Sequence, residues 1–209
     1  MDRIPRTATV AISAVTAFLW LIASLIASPE RVAAVLGFIP ARFSGMVEVS
    51  PSVPAFLTPF TATLAHSGLA HLGFNLLIFI FCGAQVERVL GRTGLVILYL
   101  VGAYCSALAQ WIVAPHSMTP IIGASGAISA VVGAYALSFG RAKRITNNLR
   151  LNRWINVVWL MTAWVVLQVM MAWLGNQQGV LLATPAHIGG FAAGLLLQRP
   201  LLLFHYRKA

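Results

Sequence analysis

Long apolar stretches, separated by short polar or basic segments, dominate this sequence. A membrane-spanning helix requires about 20 predominantly apolar residues, and the apolar runs approach or meet that length. The chain is 59% hydrophobic and 9% charged, whereas a soluble domain carries about 25% charged residues. We therefore predict an all-α integral membrane protein with one polytopic domain over residues 1–209. Its six predicted membrane helices cover about 8–28, 71–90, 94–113, 121–139, 154–174 and 185–204.

The first apolar stretch has two interpretations. Arg3 and Arg6 precede it and "LIAS" ends it, which is also typical of a secretory signal peptide. The stretch is longer than the usual apolar region of about 7–15 residues, and Pro29 directly follows the candidate cleavage site. These features favour a retained helix, and cleavage stays open as the alternative.

The basic residues predict the orientation of the helices. With six spans, Arg31 and Arg42 fall on one side and the other basic residues fall on the opposite side. Cytoplasmic loops carry the excess of Lys and Arg, so both termini and the basic loop 141–153 are expected in the cytoplasm. The net charge of +10 then reflects membrane orientation rather than nucleic-acid binding. We expect a bacterial inner or plasma membrane.

The outer loop, 29–65, is expected to lie partly in the membrane interface. Its segment "RVAAVLGFIPARF" has one apolar face and two arginines, which is typical of a short amphipathic helix at an interface.

Polar residues recur at one depth of the predicted bundle. The second, fourth and sixth helices all run inward from the outer side. Their first turns or approaches contain "AHSGLAHLGFN", "PIIGASG" and "TPAHIGG". Ionisable residues in membrane spans are costly and mark function by default, so these segments predict one shared site. The polar side chains concerned are His66, His71, Asn75, Ser125 and His187.

The spacing of small residues predicts which of these side chains meet. Residues three or four apart share a helix face, and small residues let membrane helices approach closely. The face of Ser125 and the face of His187 both carry such small residues, and packing them together would bring serine and histidine within hydrogen-bond reach. The two faces comprise Ser125, Ser129 and Gly133, and His187, Gly190 and Gly194.

Serine and histidine at one site predict nucleophilic catalysis. A serine nucleophile needs a base for its proton, and donors for the oxyanion that forms. His187 is the candidate base, and the His71 and Asn75 side chains with the Ala124 backbone N–H are candidate donors. The alternative for each residue is helix packing or an interhelical hydrogen bond.

The scarcity of acidic residues narrows the chemistry. The chain has four, and Glu30 and Glu48 are the two on the outer side. A Ser–His dyad without a carboxylate is therefore the simplest catalyst, and a protease using paired carboxylates in its spans is disfavoured. No H-E-x-x-H motif occurs, which disfavours a zinc peptidase, and we expect neither metal nor cofactor. Cys82 and Cys105 lie in apolar runs and are expected to pack as small hydrophobes.

Four linked motifs resemble those of the rhomboid family of intramembrane serine proteases. "HSGLAHLGFN" matches H-x4-H-x3-N, "GAQVERVLG" matches G-x3-E-x3-G, "GASG" matches G-x-S-G, and "AHIGGFAAG" matches A-H-x2-G-x3-G. The resemblance implies a six-helix bundle with Ser125 as nucleophile and His187 as general base, then acid. It implies His71, Asn75 and backbone N–H groups as the oxyanion hole. Its implied substrates are membrane proteins, cut near the outer end of a transmembrane segment.

The chain departs from the family pattern at two places. Ser129 stands where many members carry an aromatic residue, and Arg42 is followed by Phe43 rather than belonging to a Trp-Arg pair. Two rival functions stay open. One is a rhomboid-like pseudoprotease that binds or escorts membrane segments, and the other is a small channel or transporter with a polar vestibule.

Overall fold

The fold is helical throughout its described part. The computed structural model describes residues 7–139, 145–174 and 183–208, and over these ranges every regular element is a helix apart from one isolated β-bridge between Phe38 and Ile121. The predicted all-α class is thus confirmed for these ranges. The α-helices are α1 (Ala8–Ile26), α2 (Pro29–Leu36), α3 (Pro40–Phe43), α4 (Thr58–Thr61), α5 (Leu69–Val113), α6 (Ser125–Phe139), α7 (Leu149–Leu174) and α8 (Thr184–His205), and short 3₁₀ turns occupy Ala55–Leu57, Ala62–Leu64 and Tyr206–Lys208.

Four described helices are long and apolar enough to cross a membrane. They are α1, α5, α8 and, in α7, the stretch Leu149–Met170. Their outward faces carry exposed apolar side chains, such as Leu25 and Leu196, which are 74% and 76% exposed. A helix with such a surface is stable when lipid, rather than water, covers it.

Helix α5 contains two of the predicted spans, joined by a one-residue turn. Gly91 breaks it with φ 72° and ψ 170°, a backbone conformation that glycine adopts without steric cost. The Phe79 and Tyr99 ring centroids lie 5.3 Å apart, whereas 20 residues of continuous helix would separate them by about 30 Å. The two arms, 69–90 and 92–113, are therefore antiparallel.

Helix α6 begins later than predicted. The sequence predicts a helix from residue 121, but α6 starts at Ser125 and has 15 residues. Ile121 instead exchanges two backbone hydrogen bonds with Phe38, and Gly123 has φ 112°, so this stretch is not helical. The correction places Ser125 at the first position of the helix.

The other helix boundaries differ from the predicted ones by a few residues. α1 ends at Ile26 because Ser28 caps the next helix, α2. α7 begins at Leu149, earlier than the predicted 154, because Asn148 Oδ1 accepts the N–H groups of Arg150 and Leu151. The predicted loop 141–153 is only partly observed, since residues 140–144 lie outside the described ranges, as do Arg3 and Arg6.

Glu87 anchors the N-terminus of α1. Its carboxylate accepts the N–H groups of Ala8 and Thr9 at 2.8 and 2.9 Å and the Thr9 hydroxyl at 2.6 Å. The first N–H groups of a helix have no intrahelical partners, and a negative charge is favourable there. α1 therefore docks on the first arm of α5.

The segment between α1 and α5 covers the opposite end of the bundle. It contains the short helices α2, α3 and α4, and the Phe38–Ile121 bridge ties it to the loop before α6. The Trp20 indole N–H donates to the His66 carbonyl at 3.0 Å, which connects α1 to the start of α5. The segment predicted to form one short amphipathic helix, 31–43, instead contains most of α2 and all of α3, which residues 37–39 separate.

Candidate active site

Ser125 lies where the loop before α6 turns into helix. The Ala124 carbonyl accepts the Ile128 N–H at 2.9 Å, the first bond of the helix, and the Gly123 N–H donates to the Ala62 carbonyl at 2.9 Å. The N–H groups of the first helical residues, starting at Ser125, have no intrahelical partners. The positive end of the α6 dipole is thus at the serine.

His187 reaches Ser125 from the first turn of α8. Its Nε2 lies 2.9 Å from Ser125 Oγ, and the two residues are 4% and 8% exposed. The structure therefore brings together the serine and histidine that the sequence singled out. The distance is that of a hydrogen bond between a hydroxyl and an imidazole nitrogen.

Glycines on α6 and α8 allow this contact. A Cβ atom at Gly190 would lie 2.2 Å from the Gly126 carbonyl oxygen, and one at Gly194 would lie 2.0 Å from the Ala130 carbonyl oxygen. The two backbones therefore pack at a distance that leaves no room for a side chain. The predicted packing of the two small-residue faces is confirmed.

His71 and Asn75 lie beside the same loop. His71 Nε2 would be 2.7 Å, and Asn75 Nδ2 3.7 Å, from a Cβ atom at Gly123. His71 Nδ1 lies 3.0 Å from Ser67 Oγ, and Asn75 Nδ2 donates to the His71 carbonyl at 3.1 Å. Both side chains are thus held next to the backbone that precedes Ser125.

His66, which the sequence placed at the shared site without a catalytic role, contacts the backbone just before Ser125. Its Nε2 accepts the Ala124 N–H at 3.4 Å, and its ring centroid lies 5.0 Å from that of His71. Burial, and to a smaller extent the nearby His71, lowers the pKa of His66 to about 3. The ring is therefore neutral near pH 7 and can accept a hydrogen bond. The H-x4-H-x3-N motif was the signal that pointed to it.

A hydrogen-bonded chain connects α7 to the serine backbone. The Trp164 indole N–H donates to Ser129 Oγ at 2.7 Å, and the Ser129 hydroxyl donates to the Ser125 carbonyl at 2.7 Å. The Trp164 ring also stacks on Phe74, with centroids 6.1 Å apart and planes 11° from parallel. A tryptophan from another helix therefore occupies the surroundings of Ser129, and sequence inspection missed it.

The serine and the histidine that it contacts line a cavity of about 170 Å³. Its wall combines Ser125, His187 and His71 with apolar side chains such as Phe38 and Phe74. Among the described lining residues there is no carboxylate. The arrangement can activate a serine hydroxyl and place hydrogen-bond donors around an adjacent oxygen.

Comparison with known proteins finds one matching family profile and several relatives. The family profile described as "Rhomboid domain" matches residues 54–204. RHOMBOID-like protein 4 of Arabidopsis thaliana is 30% identical over 138 residues, which cover 66% of this chain and 32% of that protein. Rhomboid protease GluP of Bacillus subtilis is 36% identical over 74 residues (35% of this chain, 14% of that protein). Rhomboid-related protein 3 of Homo sapiens is 34% identical over 76 residues (36% and 18%). The chain thus matches about a third or less of the length of each relative.

Proposed function

The chain belongs to the rhomboid family, and we propose that it is an intramembrane serine endopeptidase that hydrolyses a peptide bond in or near the outer end of a substrate's transmembrane segment. The observation that carries this proposal is the 2.9 Å contact between Ser125 Oγ and His187 Nε2. Both atoms belong to residues lining one cavity. One of the relatives, GluP, is named as a protease.

In the proposed reaction, His187 acts first as base and then as acid. Its Nε2 takes the Ser125 proton while Oγ attacks the scissile carbonyl carbon, which forms a tetrahedral oxyanion. The same proton then passes to the leaving amine as the C–N bond breaks, and an acyl-enzyme remains. Water, deprotonated by His187, attacks the ester, and collapse of the second oxyanion releases the acid and returns the proton to Ser125.

The oxyanion would be stabilised at the N-terminus of α6. The candidate donors are the Ser125 N–H, the Ala124 N–H and the side chains of His71 and Asn75. The bond from the Ala124 N–H to His66 is long, at 3.4 Å, and a charged oxygen is a stronger acceptor than a neutral imidazole. Removing one such donor in other hydrolases costs about 10²–10³-fold in kcat.

We further propose one polytopic domain with six membrane crossings. The crossings would be α1, the two arms of α5, α6, α7 and α8, in chain order. Both termini would face the cytoplasm of a bacterium and the cavity would open to the outer side. Lipid would cover the exposed apolar faces of α1 and α7. The substrates would be membrane proteins with a transmembrane segment, and the chemistry would require no cofactor.

Labelling with a fluorophosphonate in detergent tests the proposed nucleophile. The probe phosphonylates an activated serine and releases fluoride, and we expect labelling of the wild type and none of Ser125→Ala or His187→Ala. Ser13→Ala is a matched control, because Ser13 is a buried serine on α1 whose hydroxyl has no hydrogen-bond partner among the described residues, and it should be labelled like the wild type.

Cleavage of a purified transmembrane substrate completes the test. The same two substitutions should abolish cleavage without changing the melting temperature by more than a few degrees. A folded wild type that binds membrane segments but neither reacts with the probe nor cleaves would instead be a rhomboid-like pseudoprotease.

A further inference from the structure

Gln168 on α7 is a buried amide that the proposed mechanism leaves unused. It is 4% exposed and lines the same cavity as Ser125 and His187. Its Nε2 finds no hydrogen-bond partner within the described ranges. A buried donor without a partner is unfavourable, so a ligand that accepts a hydrogen bond from this amide would be stabilised.

The position of Gln168 is fixed by its neighbour on α7. Trp164 lies four residues earlier on the same helix face, where its indole N–H is bonded to Ser129 and its ring stacks on Phe74. One further helical turn advances about 5.4 Å along the axis. Gln168 is therefore held at the cavity wall by the same contact that connects α7 to the serine backbone.

The apolar character of the cavity wall indicates which kind of ligand would need a hydrogen-bond donor here. Much of the wall is apolar, for example Phe38, Ala103 and Ile121. A substrate segment cut here must lose its helical hydrogen bonds around the scissile peptide, which leaves carbonyl groups without donors. A carbonyl group without a hydrogen-bond donor is unfavourable in an apolar environment, so such a substrate would gain from a donor in the cavity wall.

We propose that the Gln168 side-chain amide donates a hydrogen bond to a main-chain carbonyl of the substrate segment, in its extended form near the scissile bond. This assignment rests on the proposed function, because it uses the substrate of the same cavity. A neutral amide satisfies the carbonyl without introducing a charge into the membrane. It also recognises the backbone, which every transmembrane segment presents, rather than a particular side chain. Gln168 is thus a positioning residue for the substrate.

Replacing the amide with a thioether of similar length tests the assignment. In Gln168→Met we expect the fluorophosphonate to label Ser125 within twofold of the wild-type rate, since the probe carries no peptide carbonyl for Gln168 to bind. The kcat/KM for a transmembrane substrate should fall about tenfold, mainly through KM. The matched control is Gln198→Met, because Gln198 is a buried glutamine at the other end of the bundle that donates to Ser138 Oγ at 3.1 Å. It should alter stability but not KM.

Binding separates this assignment from the proposed function. In a Ser125→Ala background, Gln168→Met should weaken the binding of a fluorescent transmembrane peptide about tenfold, whether or not the wild type cleaves it. A wild type without cleavage that still shows this loss would overturn the protease proposal and leave the Gln168 contact supported.

An amide-to-ester scan of the peptide identifies the carbonyl. An ester carbonyl is a weaker acceptor, so one ester near the scissile bond should weaken binding to the protein with Gln168 and have little effect with Gln168→Met. Equal KM and equal binding in Gln168→Met, a parallel loss of labelling and cleavage, or ester effects that are the same in both proteins would each overturn the assignment.

Discussion

At the level of single residues, Gly123 allows His71, a candidate oxyanion donor, to lie close to the backbone that precedes Ser125. Its φ of 112° is one that residues with a Cβ rarely adopt, and the added atom would lie 2.7 Å from His71 Nε2. The glycine therefore allows the loop backbone to pass directly beneath the imidazole. This role is local, but it depends on residues that lie 52 positions apart in the chain.

We expect Gly123→Ala to lower fluorophosphonate labelling of Ser125 about a hundredfold, because a displacement of about 1 Å at a catalytic centre can have that effect. The rate of labelling in detergent measures it. Gly73→Ala is the control, since a Cβ at this helical position of α5 meets nothing within 4 Å, and alanine is the better helix former. Wild-type labelling of Gly123→Ala would show that the loop geometry is not required.

At the level of helices, the contact between α6 and α8 positions the serine against the histidine. Gly194 packs on the Ala130 carbonyl, which belongs to the backbone and cannot rotate away as a side chain can. A larger residue must therefore move one helix against the other. His187 lies two turns earlier on α8, so the movement reaches the Ser125–His187 contact.

We expect Gly194→Ala to reduce labelling of Ser125 at least tenfold and to lower the free energy of unfolding by about 1–3 kcal/mol. Probe labelling and unfolding in mixed micelles measure the two effects. Ala192→Val adds two methyl groups to the same helix at an exposed position and should change neither. Equal behaviour of the two variants would refute the role of close packing.

Glu87 fixes the N-terminus of α1 to the first arm of α5, at the end of the bundle away from the serine. We expect Glu87→Gln to lower the free energy of unfolding by about 2–4 kcal/mol, because it removes the charge that accepts three hydrogen bonds. Thermal unfolding in detergent measures it. Glu48→Gln removes one charge from an exposed loop position and should have no measurable effect; a similar loss in both variants would contradict the anchoring role.

The pairing of α6 with α8 was predictable from the sequence because small residues at spacings of three and four mark a helix face. The true start of α6 was not, because residues 121–124 are held out of the helix by a bridge to Phe38, far away in the chain. Trp164 was missed, and His66 was given no role, for the same reason. Their partners, Ser129 and Ala124, lie on other elements, and no local periodicity indicates such contacts.

At the level of the whole molecule, the charge distribution and the helix lengths both bear on how the helices cross the membrane. Arg92 and Arg207 lie together near Gly91, and the Arg153 guanidinium donates to the Leu137 carbonyl at 3.0 Å near the end of α6. These basic side chains are at the end of the bundle opposite Ser125. By the positive-inside rule, this distribution supports the proposed orientation, in which the cavity opens to the outer side.

The short length of α6 makes this topology worth testing directly. Its 15 residues extend about 22 Å, less than the hydrocarbon core of about 30 Å. If both arms of α5 and α6 each cross once, three crossings separate Glu48 from Asn147. The two residues, both exposed, should then lie on opposite sides of the membrane.

We expect an impermeant maleimide to label Glu48→Cys in intact cells of a bacterial host and Asn147→Cys only after permeabilisation, with Cys82 and Cys105 replaced by alanine in both. The background protein without the new cysteine is the control, and it should stay unlabelled. Labelling of both positions in intact cells would mean that α6 or one arm of α5 does not cross. The reversed pattern would open the cavity to the cytoplasm. The expected pattern requires that α6, although short, crosses the membrane together with the extended loop before Ser125. The serine would then lie below the outer surface of the membrane, within reach of water.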